Sequence, residues 1–148
     1  MTEAPGTSVN ASQAELFAHG ADVGVRGIGP TREAAFEQAA VALTMAVTDP
    51  AEIVPRDVVD IACEAPDDDL LLVDWLNALI YEMAVRRWVF SSFDVSISGQ
   101  RLKARAWGES IDQTRHRLAA EPKGATFTEL MVATRADGAW LAQCVVDV

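Results

Sequence analysis

His19-Gly20-Ala21-Asp22 sets an imidazole and a carboxylate on either side of a tight, glycine-containing segment. Taken alone, an aspartate there more often organises its own turn by accepting from nearby backbone than it does chemistry. The last residues, Val146-Asp147-Val148, put a side-chain carboxylate beside a main-chain one. Hard divalent cations such as calcium or magnesium take several oxygen ligands of this kind. If the final strand runs beside the His19–Asp22 loop, then Asp22, Asp147 and the Val148 carboxylate converge. Carboxylates so placed oppose one another's ionisation unless a cation neutralises them. The competing reading of the chain end is a frayed acidic tail, but the apolar run Cys144-Val145-Val146 draws the end into a sheet. Lys123, in Glu121-Pro122-Lys123-Gly124-Ala125, stands just before a strand-like run. Its ammonium is suited to balancing carboxylates or meeting a phosphate, although a solitary lysine is ordinarily a solvated surface group.

The other chemistry-bearing residues say less. Asp67-Asp68-Asp69 lacks the spacing of an EF-hand loop and is explained by the preference for negative charge at a helix start. His116 is a lone histidine in a polar stretch. Trp75, Trp88, Trp107 and Trp140 read as packing rather than as a base-stacking platform. Cys63 and Cys144 are too few for a disulfide framework and lack CxxC spacing, so they read as reduced core thiols. The chain has no GxSxG, P-loop, GxGxxG or HExxH pattern, and neither histidine has an obvious nucleophile next to it.

The totals bound what these residues can belong to. A chain of 148 residues, half of them hydrophobic, is one domain with a core that needs no staples. Against 12 Lys and Arg stand 22 Asp and Glu, a net charge of −10. That disfavours broad binding to a phosphate backbone and suits cation binding or docking into a basic protein groove. Any role in RNA biology is therefore expected to be indirect, through a protein partner. No signal-peptide pattern is evident, and no apolar run approaches the ~20 residues that span a bilayer. A soluble, cytoplasmic chain without membrane contact is expected, and self-association stays open.

The elements that must position the site follow from periodicity and punctuation. Residues 1–14 are small and polar and read as a disordered tail, leaving an ordered domain over 15–148. Leu16–His19 and Val23–Ile28 read as short strands. Thr31 caps a first helix that ends near Thr48-Asp49-Pro50. Arg56–Glu64 alternates as a half-buried strand, and Asp68 to about Arg87 forms an apolar central helix. Strand patterns follow around Phe93–Ile97 and Leu102–Ala106, then over Ala125–Thr134 as one strand, a hairpin at Asp137-Gly138 and a closing strand from Trp140. The order predicts an α+β fold: a largely antiparallel, mixed sheet with two helices, in a single domain.

His19-Gly20-Ala21-Asp22-Val23-Gly24-Val25 resembles the His-x-Ala-Asp opening of the archease family. The similarity continues in order through Glu33–Ala40, Asp69-Leu70-Leu71-Leu72-Val73-Asp74-Trp75-Leu76-Asn77, Phe93-Asp94-Val95 and Ala106-Trp107-Gly108-Glu109. His116, Lys123-Gly124-Ala125-Thr126-Phe127 and Gln143–Val148 complete it. Two departures are Gly20, where the family usually has threonine, and Gly124, often alanine. The resemblance implies an archease-like fold and a non-enzymatic role. Such proteins are cofactors of the tRNA-splicing RNA ligase, promoting its guanylylation and multiple turnover. It implies that Asp22, Asp147 and Val148 hold a divalent ion, usually calcium, and that Lys123 is the functional, cofactor-binding lysine. An acidic tip would then enter the ligase's basic nucleotide site. Two alternatives stay open: a chaperone-like modulator of a tRNA methyltransferase, and a metal-dependent phosphoester hydrolase using His19 or His116 as base.

Overall fold

The structure, a computed structural model, describes residues 11–148. The tail expected over 1–14 falls outside the described residues as far as residue 10; Gln13 and Ala14 already belong to the first strand. β1 (Gln13–His19) and β2 (Asp22–Gly29) form an antiparallel hairpin whose register closes at His19 opposite Asp22. The turn between them is Gly20-Ala21, with Gly20 at φ +60°. A positive φ at the first central residue is what a two-residue hairpin turn of the Gly-X type requires. The glycine at this position therefore serves the turn.

α1 (Arg32–Val47) starts where Thr31 Oγ1 accepts from the Ala34 amide at 3.0 Å, and it ends before a single 3-10 turn at Pro50–Glu52. It lies flat on β2 because Gly27 has no side chain: a Cβ there would come within 2.1 Å of the Ala35 carbonyl oxygen. β3 (Asp57–Glu64) alternates as predicted, with Val59 and Ile61 buried. α2 (Asp68–Arg86) opens on Asp67, whose carboxylate accepts from the Leu70 amide at 2.9 Å. It is capped by Arg87 in the left-handed region, φ 57°. β4 (Trp88–Ser98) and β5 (Arg101–Ser110) form a second hairpin.

The remaining strands differ from expectation. The single strand predicted over Ala125–Thr134 is two short ones, β6 (Gly124–Ala125) and β7 (Met131–Thr134), each pairing with β8 (Trp140–Asp147). Between them the Thr126 amide and hydroxyl both donate to the Val145 carbonyl, and Glu129 takes φ 54°. The local hydroxyl bond and the turn win over continued extension. The strands form two sheets, β1-β2-β8-β6 with β7 also on β8, and β3-β5-β4. Every pairing among the described residues is antiparallel, so the mixed character allowed for in the sequence is not realised.

Both helices contact both sheets and share one apolar core with them. Trp75 is fully buried at its centre, with Nε1 donating to the Phe36 carbonyl at 3.0 Å and its ring edge-on to Phe93. The helices also seal sheet edges. Glu37 accepts from the Val95 amide of β4, Asp69 from Val132 of β7 and Asn77 from Ala125 of β6. Edge amides satisfied in this way are not available for pairing with another chain. No helix among the described residues is long and apolar enough to cross a membrane.

Candidate functional site

Strand register builds the site. Val23 with Val146 is the last pair of the β2–β8 register, and Asp22 and Asp147 are the residues just beyond it on the two strands. On the flanking strands His19 is opposite Asp22 and Gly124 is opposite Asp147. Four strand ends therefore bring His19, Asp22, Asp147 and Gly124 into one row at a corner of the sheet. Asp22 and Asp147 both stand at the end of the β2–β8 ladder.

The loose ends are tied in. The Val148 amide donates to Asp22 Oδ1 at 3.3 Å, which brings the chain end onto the hairpin turn. The Lys123 amide donates to the Asp147 carbonyl at 2.8 Å, and the Ala125 amide donates to Asn77 Oδ1 at 2.8 Å. Asp147 and Lys123 are exposed, and Asp22 and Val148 half-buried. The structure thus brings together all four residues predicted from the sequence: Asp22, Asp147, Val148 and Lys123. His19 is exposed in the same row.

The electrostatics of the corner are open. Among the described residues no ion pair within 4.0 Å involves Asp22, Asp147 or Lys123. Like charges close together repel, and among the described residues the Val148 amide is the one hydrogen-bond donor to either side chain. Those residues contain no group of three or more His, Cys, Asp or Glu side chains placed to hold one cation. The corner has two such carboxylates, those of Asp22 and Asp147. Four residues further along β2 and β8, Arg26 spans Glu15 at 3.1 Å and Gln143 at 2.9 Å, lacing β1, β2 and β8 together. That cross-link helps hold the register on which the corner depends.

A second polar cluster lies elsewhere, and the sequence reading missed it. Glu109 and His116 are 3% and 2% exposed. Glu109 accepts from Arg115 Nη1 and Nη2 at 2.6 and 3.0 Å and from the Val54 amide at 2.7 Å, and it meets His116 Nε2 at 3.0 Å. The Arg115 guanidinium, seconded by the Val54 amide and His116, holds the Glu109 carboxyl down at about 2 in spite of its burial. His116 Nδ1 accepts from the Asp112 amide at 2.9 Å. A ring nitrogen that accepts carries no proton, so the Nε2–H tautomer follows, donating to Glu109. Both ring nitrogens are engaged, and His116 is not free to act as a base. The cysteines behave as expected of core thiols: both are free, and burial pushes each up to about 11.

Fold and corner define a class: a small α+β domain of two antiparallel sheets around two helices, with paired carboxylates and a lysine at one sheet corner. Residues 15–148 match the model of the archease protein family (MTH1598/TM1083). The protein archease of Pyrococcus abyssi is 33% identical over 138 residues, 90% of this chain and 97% of that one. That of Methanosarcina barkeri is 35% identical over 146 residues, 95% and 99% of the two chains. The solution structure of Methanobacterium thermoautotrophicum protein 1598 superposes with a TM-score of 0.79 at 28% identity, covering 91% of this chain and 98% of that one. A crystal structure of an archease, described as a possible chaperone, from Thermotoga maritima shares the fold at a TM-score of 0.62 and 18% identity. The chain belongs to the archease family.

Proposed function

We propose that this chain is a non-enzymatic, metal-binding protein cofactor that activates a tRNA-splicing RNA ligase by promoting its guanylylation and repeated turnover. The observation that carries the reading is the corner itself. Asp22 and Asp147 both stand just beyond the last β2–β8 pair, neither is in an ion pair among the described residues, and the Val148 amide is drawn onto Asp22. An all-oxygen donor set of this kind suits a hard divalent ion, calcium foremost. Asp22, Asp147 and the Val148 carboxylate would hold it, and when bound it would supply positive charge beside a phosphate. Lys123, tied through its amide to Asp147, would present its ammonium to the partner's nucleotide.

The net charge of −10 supports docking into a basic nucleotide site. Opposite surface charge speeds encounter and makes it salt-sensitive. The bond-making stays with the ligase's own nucleophile, and RNA is met only through the ligase, in the cytoplasm. Of the two histidines the hydrolase alternative could use, His116 is already engaged on both nitrogens.

A ligation time course with limiting ligase and calcium tests this. Product should pass one equivalent per ligase only when the chain is added, and Asp22→Ala or Asp147→Ala should remove the stimulation. Unchanged stimulation by both variants rejects the mechanism. Phosphoester turnover by the chain alone would favour the hydrolase. Co-purification with a tRNA methyltransferase instead of the ligase would favour the chaperone-like reading.

A further inference from the structure

The arm from Ile111 to Lys123 joins β5 to β6 without a helix or strand. It borders a largely apolar, half-open pocket of about 450 Å³, walled by Ile80 and Met83 of α2, by Trp88, and by Leu118 and Pro122 of the arm itself. Groups that line an open pocket lack packing partners on that side, so packing alone does not fix the arm's second half. Polar ties do. The Ile111 amide donates to the Arg87 carbonyl at 2.9 Å, the Ala119 amide to the Val47 carbonyl at 2.7 Å and the Lys123 amide to the Asp147 carbonyl at 2.8 Å. Between the first and second of these, Arg115 and His116 reach back to Glu109 of β5, and Arg115 also donates to the Glu52 carbonyl at 2.8 Å.

The cluster buries the Glu109 carboxylate, while the Arg115 side chain stays 35% exposed. Pairing such a charge offsets the cost of burying it more than it adds net stability, so net energy is a poor account of the cluster. Geometry is a better one: a two-pronged guanidinium–carboxylate contact fixes orientation as well as distance. Here it fixes the root of the arm whose far end is Lys123.

We propose that Glu109, Arg115 and His116 form a clasp that positions the arm and so sets Lys123 against the Asp22–Asp147 corner. The proposal rests on the reading of that corner and lysine as the functional site. The three are positioning residues, acting on the site through the arm.

Amide hydrogen exchange on the full chain at neutral pH tests it without any ligase. In His116→Ala, the Ala119 and Lys123 amides should exchange at least about tenfold faster, equivalent to 1.4 kcal/mol of lost local protection. The amides of Val25 in β2 and Leu43 in α1 should keep their wild-type rates. Arg115→Lys, which retains charge but loses the fork, should give the same local pattern and serves if His116→Ala does not fold. Faster exchange everywhere at once marks a purely structural role and overturns the proposal, as does unchanged exchange at Lys123 in both variants. In the ligase assay His116→Ala should lose as much stimulation as Lys123→Ala, with no further loss in the double variant. Local loosening with Lys123→Ala fully active would sink the functional reading of Lys123 and leave the clasp standing.

Discussion

Glu109 and the Asp22–Asp147 pair are carboxylates at strand ends, yet their surroundings are opposites. Glu109 is buried and receives a guanidinium, a backbone amide and an imidazole N–H. Asp22 is half-buried and Asp147 exposed, both stand just beyond the last β2–β8 pair, and neither is in an ion pair among the described residues. A buried charge without partners costs several kcal/mol, so Glu109 must be satisfied for the chain to fold. The corner carries no such obligation. Water screens its charges, and an arrangement that folding does not require is free to serve a ligand. Satisfied charge therefore marks the scaffold and unsatisfied charge marks the candidate site.

The contrast is sharpest in stability. Glu109→Ala leaves His116 and the Val54 amide without their acceptor and Arg115 with only the Glu52 carbonyl and Asp112, and should cost about 3 kcal/mol in urea unfolding. Asp147→Ala should stay within about 0.5 kcal/mol of wild type, or gain slightly as repulsion is relieved. Equal losses would erase the distinction. Acid should separate the two regions in the same direction. The Glu109 pKa is lowered on folding from 4.5 to about 2. The unfolded chain therefore binds the proton more readily, and this contribution to stability, full above pH 4.5, is lost as pH falls toward 2. Urea midpoints for wild type should drop across that window more steeply than those for Glu109→Gln.

The next effect belongs to the corner alone. Calcium at a hundredfold excess over its dissociation constant should stabilise the wild type by about 2.7 kcal/mol, read as a rise in Tm. Asp22→Asn should abolish the rise and Glu109→Gln should keep it. A chelator should lower the Tm of the wild type back to that of Asp22→Asn.

How much of this was legible depends on whether the signal was local. The boundaries of α1 and α2 stand where Thr31, Pro50 and Asp67 put them, because caps and proline act within one turn. Asp22 and Asp147 were readable because each ends an apolar strand, and the meeting of those strands gave the corner. The division into two sheets was not readable: alternation tells which face of a strand is buried and not which strand lies beside it. The break at Thr126 was hidden because a hydroxyl bond competes with the ladder only once Val145 is in place. The clasp was hidden for a different reason. Its members come from β5, the arm and Val54, and a run such as Asp112-Gln113-Thr114-Arg115-His116 has the composition of an exposed loop. Only the fold brings Glu109 close enough to bury the histidine.

Smaller effects test how tightly the corner's backbone is drawn. Gly20→Ala meets open space but must hold φ +60°, which should cost about 1 kcal/mol and weaken calcium binding if the turn helps aim Asp22. Gly124→Ala is the gentlest probe. A Cβ there would meet only Asn77 Oδ1, at 3.7 Å, an ordinary contact, and Gly124 is not among the residues at positive φ. The added methyl also narrows the unfolded ensemble, a gain of about 0.5 kcal/mol where the native conformation accepts it. Unfolding should therefore shift by no more than that, upward, with the calcium response intact. A loss instead would mean that β6 approaches α2 more closely than the Ala125–Asn77 bond requires, and that the lysine end of the corner is held by packing as well as by hydrogen bonds.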